Sequence, residues 1–487
     1  MALRRIYQWA QTQPDKAALI FNGSQFTYAT FARAIDAARK FQLGQNLPVG
    51  SVAIVLIQNL ADAWINIHAL RSVGLTTIAV PSLAAAHDLA IKNVACVVTT
   101  QAELSLHGLH GARLGGTRLV VIPNAIYHNL RDRELPQLPT ENLPFGGHIL
   151  YTSGTTGRYK KVLMRGDIEV ARNEARAHSQ GYDKAATDHG INFGIWSGAG
   201  FKQPSAIWHA GGTQIIDQRP DAAEHFLDHP FTKTGALPVF WQQVLAHRET
   251  SGRPGPTFDF EFSHSGGFLA KTLADRIRAH LTANMLVVYS ATEFIRVPLK
   301  SFYQTVDDLH WLQPVPGCLV EIAREDGSLC RPHEEGLVRV LLSDIDATGY
   351  LDDPEATARF FRDGFFYPGD IGIKREDGAV RILGRVADVL NVRGDKLAVG
   401  PLEQQVQDLL HVETLCLFSG LSREGVDELV VVIESDRTLS REDMQKVAAR
   451  FPQFERVRFE NVQKFPRTEA GMQKIKRGDL RKLVFAG

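Results

Sequence analysis

The chain is poor in cysteine, carries no net charge and has no long apolar run, and each shortage excludes something. Its four cysteines, Cys96, Cys318, Cys330 and Cys416, lie far apart with no Cys-x-x-Cys pair. Neither a zinc site nor a disulfide framework is indicated, and reduced, mostly buried thiols are expected. Lys plus Arg and Asp plus Glu both total 54, which removes any global electrostatic reason to bind nucleic acid, an anionic membrane or an acidic partner. The most apolar stretches, such as Val52 to Ile57, are far shorter than the roughly 20 residues that cross a bilayer. No membrane span is expected. Arg4 and Arg5 are followed by Trp9-Ala10-Gln11-Thr12-Gln13 rather than an apolar signal core, so a cytoplasmic location is expected. Internal repeats and low-complexity tracts are also missing.

At 487 residues the chain exceeds what one hydrophobic core usually organises, so two or more packed units are expected. Phe31, Ala34, Ile35, Ala38 and Phe41 recur at helical spacing with charged residues between them, which predicts an amphipathic helix. Val52 to Ile57 and Leu119 to Ile122 are short β-branched runs that predict buried strands. Helices and strands alternate, so the body reads as α/β. The character changes near Gly384, where the strand Val380 to Leu383 gives way to a charged segment with two glycines. Beyond it, Pro401 suits the first turn of a helix with Leu402, Val406, Leu409 and Leu410 on its apolar face. Leu429 to Ile433 predicts a strand, and Ser440 with Asp443 a capping pair opening another helix. The expected division is therefore a large N-terminal domain of α/β subdomains, 1–384, joined by a hinge to a small α+β C-terminal domain, 385–487.

His148 to Tyr151 and Val162 to Met164 predict two strands, joined by Thr152-Ser153-Gly154-Thr155-Thr156-Gly157-Arg158-Tyr159-Lys160. The composition of this loop suits phosphate. Glycines let backbone N–H groups converge on an anion, hydroxyls donate further hydrogen bonds, and a lysine supplies charge. It is not the Walker pattern, because Gly157 is followed by Arg158 and no Gly-Lys-Ser/Thr unit appears. Taken alone, the same residues also suit a flexible surface hairpin.

The loop resembles the phosphate-binding signature of the acyl-adenylate-forming superfamily: acyl-CoA synthetases, adenylation domains of nonribosomal peptide synthetases, and luciferases. Gln13 to Leu19, Thr27-Tyr28 and Gly50-Ser51-Val52-Ala53 resemble that family's opening elements. Ser265-Gly266-Gly267 resembles the element placed against adenine, and Tyr289-Ser290-Ala291-Thr292-Glu293 the aromatic-Gly-x-Thr-Glu motif. Tyr367-Pro368-Gly369-Asp370, Gly384-Arg385 and Pro466-Arg467-Thr468 follow in the family's order. Several matches in one order, across nearly the whole chain, are far more specific than any alone.

The resemblance implies ATP-dependent activation of a carboxylic acid as acyl-AMP, with pyrophosphate leaving, then transfer to a thiol. Thr152, Ser153, Gly154, Thr155, Thr156, Gly157 and Lys160 would hold the phosphates. Ser265, Gly266, Gly267, Tyr289, Ser290, Ala291 and Thr292 would surround the adenine, and Asp370 and Arg385 the ribose. Glu293 would help hold Mg²⁺, which prefers oxygen ligands. Among the basic residues of the tail, Lys474 is the family's catalytic lysine by position, with Lys476 in reserve. It joins Glu293, Thr152 and Lys160 as the catalytic set. Each position has a plainer role open to it: a core tyrosine at 289, a solvated glutamate at 293, a turn former at 370, and solvated surface for the basic tail.

Some positions depart from the family pattern. Tyr159 stands where proline is usual, Lys161 and Ser290 where glycine is usual, and Pro368 where threonine is common. Ala387 occupies the place of a hinge Asp or Lys, and Met472 and Gln473 separate Gly471 from Lys474, which the family usually joins. Phe193 to Gly212, the region of the family's acyl pocket, contains no acidic residue to pair an α-ammonium. An aryl or acyl acid is therefore expected rather than a free α-amino acid. Trp196, Phe201, Lys202 and Gly267 are the candidate pocket residues, the aromatics having the hydrophobic core as their alternative. Coenzyme A is the expected acceptor; a carrier protein bearing phosphopantetheine is the alternative. A nucleotide-binding sensor or scaffold without turnover is the reading from another class.

Overall fold

The computed structural model describes residues 2–107, 113–114, 116–137, 144–153, 159–190, 193–236, 238–252, 254–265, 269–386, 388–392, 395–421, 427–435, 439–452, 454, 456–467 and 475–485. They form two compact units, each assembled from separated segments. The first takes 1–235, 291–296 and 342–361; the second takes 236–290, 297–341 and 362–487. The sequence boundary after 384 falls at the end of the strand Val380–Arg385, inside the second unit.

In the first unit a seven-stranded sheet is built around Val52–Val55, flanked by Val94–Thr100 and Thr76–Ala79. These three run parallel. The central strand is buried at all four positions, as a β-branched run enclosed on both faces must be. Next to Thr76–Ala79 comes His148–Ser153, which turns back antiparallel into Tyr159–Met164 at the sheet edge. A second set of strands runs in the order Lys233–Gly235, Thr187–Gly190, Thr213–Ile216, Ala17–Phe21, Ser24–Thr27. The longer helices of the unit are Ala2–Thr12, Tyr28–Leu43, Leu60–Ser72, Glu169–Gln180 and Gly198–Ala210.

The helix expected around Phe31 to Phe41 spans Tyr28–Leu43, opened by Thr27, whose hydroxyl accepts from the Thr30 amide at 3.2 Å. Its buried Phe31 belongs to an aromatic core with Trp64, His68, Trp208 and Phe201. The last helix lies close against the irregular segment Phe193-Gly194 that precedes it. A Cβ on Gly200 would stand 2.2 Å from the Gly194 carbonyl oxygen, so glycine is required by the approach.

In the second unit, Glu261–His264, Met285–Tyr289 and Leu299–Phe302 form one set of neighbours. Val320–Ala323, Gly336–Leu341, Asp370–Lys374 and Val380–Arg385 form an antiparallel set. Its C-terminal part has a helix at Val399–Leu410 and a three-stranded sheet of Leu415–Leu421, Asp427–Glu434 and Arg456–Val462. The period of two assigns each side chain a face. Leu417, Leu429, Val431 and Ile433 pack with Val406 and Leu410, while Cys416, Phe418, Val430 and Val432 pack with Phe465 and Leu480. Ser440 and Asp443 form the expected reciprocal cap of the helix Arg441–Arg450. All four cysteines are free thiols, with Cys96 and Cys416 buried. Among the described residues no helix is long and apolar enough to cross a membrane.

Candidate active site

The candidate phosphate loop is flanked by a regular antiparallel strand pair. Strand pairing continues past the expected ends, with Thr152 opposite Lys160 and Ser153 opposite Tyr159. The residues between the paired strands, Gly154, Thr155, Thr156, Gly157 and Arg158, lie outside the described residues. Pairing with Thr152 sets Lys160 near the start of the returning strand. Tyr159, in the usual place of a proline, is accommodated by an edge contact with Tyr151 at 5.3 Å between ring centroids. Lys161 is buried and donates to the Leu89 carbonyl at 3.0 Å.

Glu293 belongs to the same unit and is 5% exposed. Its Oε1 accepts a hydrogen bond from the Tyr350 hydroxyl at 2.6 Å, and its backbone carbonyl accepts from the Ala347 amide at 3.0 Å. The Lys160 ammonium lies over the Phe360 ring at 3.4 Å and 5.2 Å from the Tyr350 ring centroid. Tyr350 thus links the loop lysine to the candidate metal carboxylate. Nothing local in the sequence singled out Tyr350, because its partner is 57 positions away.

Among the described residues no cluster of three or more His, Cys, Asp or Glu could hold a metal ion. A single carboxylate suits Mg²⁺ bound to a nucleotide, since that ion takes most of its oxygens from phosphate and water. Glu293 fits: the hydrogen bond from Tyr350 orients the carboxylate and leaves further lone pairs to accept.

In the second unit the structure brings together Tyr289, Asp370 and Arg385. Asp370 and Arg385 are register partners at the mouth of an antiparallel pair, and Arg385 Nε lies 2.8 Å from Asp370 Oδ1. Arg385 also donates to the Pro368 carbonyl at 2.7 Å. The Tyr289 hydroxyl donates to the other Asp370 oxygen. Asp370 is 4% exposed, and each of its carboxylate oxygens is engaged by a member of this trio. Ser265 follows the strand Glu261–His264 and is half-buried. Ser290, Ala291 and Thr292 leave the strand Met285–Tyr289 as an irregular turn. Gly266, Gly267, Ala387 and Lys474 lie outside the described residues. Arg467 and Ile475 form an isolated antiparallel bridge.

The other tail cations are divided. Arg467 pairs with Glu434, Arg477 with Glu403 at 2.7 Å, and Arg481 donates to the Ser419 carbonyl at 2.9 Å. Lys464 and Lys476 are exposed.

Two of the candidate acid-pocket residues have other work. Phe201 is 4% exposed and stacks on His148 at 4.2 Å and on Trp64 at 5.4 Å, so it belongs to the aromatic core. Lys202 is buried, and its ammonium donates to the carbonyls of Phe294 at 2.6 Å, Ala291 at 3.2 Å and Thr292 at 3.4 Å. Burial pushes its pKa down to about 7. It clamps the Glu293 segment, a role no pattern of the sequence announced. Trp196 is half-buried, accepts at its carbonyl from the Tyr151 amide at 3.0 Å and packs on the core of the seven-stranded sheet.

This combination of a hydroxyl-rich hairpin loop, a buried carboxylate and an α/β body defines a nucleotide-using ligase fold. The chain belongs to the AMP-binding enzyme family, whose model matches residues 6–343. Among curated proteins it is similar to 2-succinylbenzoate–CoA ligase of Geobacillus sp. (strain WCH70), 23% identical over 465 residues, which is 89% of this chain and 84% of that one. Among solved structures it is similar to the anthranilate CoA ligase AuaEII in complex with anthranoyl-AMP, with TM-score 0.81 and 14% identity over 99% of this chain and 96% of that one. It is likewise similar to the O-succinylbenzoate coenzyme A synthetase of Bacillus subtilis in complex with ATP and magnesium, with TM-score 0.77 and 18% identity over 98% and 99%. The α/β fold, a large N-terminal domain with a small C-terminal one, is thereby shared.

Proposed function

We propose that this chain is an AMP-forming acid–thiol ligase that joins an aryl or acyl carboxylic acid to ATP as acyl-AMP and passes the acyl group to coenzyme A. The observation that carries the reading is the buried arrangement of Glu293, Tyr350 and Lys160 beside the hydroxyl-bearing hairpin. Family membership supports the adenylate, and the relatives' names as CoA ligases of aryl acids support the acceptor.

In the first half-reaction a carboxylate oxygen attacks the α-phosphorus, and the bond to the bridging oxygen breaks to release pyrophosphate. Two anions must meet, so fixed positive charge is the main catalytic need. Lys160, Thr152 and Ser153, with the loop residues Gly154 to Gly157, hold the β- and γ-phosphates. Mg²⁺, held through Glu293, would supply charge neutralisation there. Tyr289, Asp370 and Arg385 hold the nucleoside, whose ribose hydroxyls can use the remaining lone pairs of Asp370. Lys474 serves as the point charge for the substrate carboxylate and the α-phosphate. Trp196 and Gly267 remain as pocket residues for the acid. The segment 385–487 acts as the mobile domain that exchanges catalytic groups between half-reactions.

Acid-dependent exchange of labelled pyrophosphate into ATP, run against aliphatic, aryl and hydroxy acids, tests this directly. At least one acid is expected to support exchange, with Lys474→Ala lowering it by about 100-fold or more. Undiminished exchange in that variant, with loss in Lys476→Ala, would move the catalytic role to Lys476. Nucleotide binding with no exchange for any acid would point to a sensor instead. Supplying free coenzyme A or a holo-carrier protein to the preformed adenylate separates the two acceptors.

A further inference from the structure

Away from the adenylate residues, the first unit encloses a cavity walled by Arg71, Glu169, Arg172, Asn173, Arg176 and Lys202, with Ile295 closing it from the Glu293 segment. Three helices supply this polar lining: Leu60–Ser72, Glu169–Gln180 and Gly198–Ala210. Glu169 is the one acid among the described lining residues, and it is held by Arg71 at 2.6 Å. Arg165, half exposed and paired with Asp167, marks the side nearest solvent.

The donors on this wall are only partly used. Arg172 gives Nε to the Ile345 carbonyl at 2.7 Å, Arg176 gives Nη1 to the Ile295 carbonyl at 3.0 Å, and Lys202 is spent on three carbonyls. Arg172 Nη1, Arg176 Nε and Asn173 Nδ2 have no hydrogen-bond partner among the described residues. These three side chains are 5%, 6% and 6% exposed, respectively. Buried donors are almost always satisfied, and guanidinium groups are costly when they are not. The carboxylates behind the wall are already engaged. Asp346 accepts from the Ile295 amide at 2.7 Å and from Ser343, while Asp188 accepts from Tyr182 at 3.0 Å and from Gln214.

We propose that this cavity is an internal site for one small carboxylate anion, with formate as its simplest member, bound by Arg172, Asn173 and Arg176. Planar guanidinium groups suit the two oxygens of a carboxylate. The cavity volume, ≈ 20 Å³, exceeds the roughly 10–15 Å³ a single water takes on the same measure and excludes large ions. The site does not rest on the proposed ligase activity, although Lys202 and Arg176 of its wall also hold the Glu293 segment. Thr152, Lys160 and Glu293 do not line it, whereas Phe201 and Lys202, already engaged in the aromatic core and on the Glu293 segment, do, and its role is to fill and neutralise the packing between the three helices.

The test is thermal unfolding of the full chain in sodium gluconate, whose anion is too large to enter, with sodium formate replacing it at constant ionic strength. A saturable rise of about 2 °C or more is expected, together with a saturation-transfer signal from ¹³C-formate. Asn173→Asp installs a carboxylate in the cavity, so its melting temperature in gluconate should exceed that of the wild type and its formate response should vanish. Asn173→Leu closes the cavity with an apolar side chain and should lose the response without that gain. A wild type with no saturable rise would overturn the site in favour of water. A formate response of wild-type size in either folded variant would do the same, because binding would then lie elsewhere.

Discussion

Glu293 is a carboxylate that the fold has already half satisfied. The Tyr350 hydroxyl donates to one of its oxygens at 2.6 Å, and this bond sits where water hardly reaches, so it is stronger and more orienting than the same contact at the surface. Removing the hydroxyl leaves a buried acceptor short of a donor. Tyr350→Phe is expected to lower stability by about 1–3 kcal/mol, read as a shift of the urea midpoint. The same variant should need more magnesium for half-maximal pyrophosphate exchange, since the carboxylate is no longer held in one orientation. A stability loss with an unchanged magnesium requirement would make Tyr350 a packing residue and detach it from the metal. Lys160 is placed by the same aromatic pair, with its ammonium 3.4 Å from the Phe360 ring centroid, an attraction worth about 0.5–2 kcal/mol.

The segment Ala291–Arg296 has no regular structure, and two helices hold it. Lys202 reaches across from Gly198–Ala210 to three of its carbonyls, and Arg176 from Glu169–Gln180 to the Ile295 carbonyl. The Asp346 carboxylate takes the Ile295 amide at 2.7 Å. A loop that carries the candidate metal carboxylate is thereby held by polar side chains of other segments. Burial lowers the Lys202 pKa from 10.5 to about 7. Between those values the unfolded chain binds the proton and the folded chain does not, so Lys202 makes stability rise with pH from about 7 to 10.5. In Lys202→Met this rise should disappear from the difference between urea midpoints at pH 7 and pH 9. Equal slopes in the two proteins would show that the ammonium keeps its proton throughout.

Across the whole molecule, several histidines are buried in neutral form. Desolvation depresses His68 and His148 to about 3 and His189 and His310 to about 4, against an ordinary value of 6.5. A depressed histidine binds its proton in the unfolded chain first. Stability is therefore fully present above about 6.5 and is lost as pH falls toward 4 and below. Urea midpoints measured from pH 7 down to pH 4.5 should fall steadily, and His148→Gln should flatten that fall. His148 is the informative site, because its ring is both stacked on Phe201 and hydrogen-bonded to Thr77 at 2.8 Å. An acid profile unchanged by the substitution would assign the loss to carboxylates.

The sequence alone determined what repeats locally. Helical and strand periods located Tyr28–Leu43, Val52–Val55 and the strand Asp427–Glu434, and motif order placed Thr152–Lys160, Glu293, Asp370 and Arg385 in one family. Such features are written in neighbouring residues, so spacing and residue type reveal them. The tertiary structure decided what depends on contact between distant segments. It paired Tyr350 with Glu293, seated Lys160 over Phe360, stacked Phe201 into the aromatic core and set Lys202 on the carbonyls of the Glu293 segment. It also drew strand pairing through Thr152 and Ser153 and composed each unit from separated stretches of chain. A buried lysine and an exposed one look the same in a sequence. Only the packing around Lys202 fixes which carbonyls its ammonium meets.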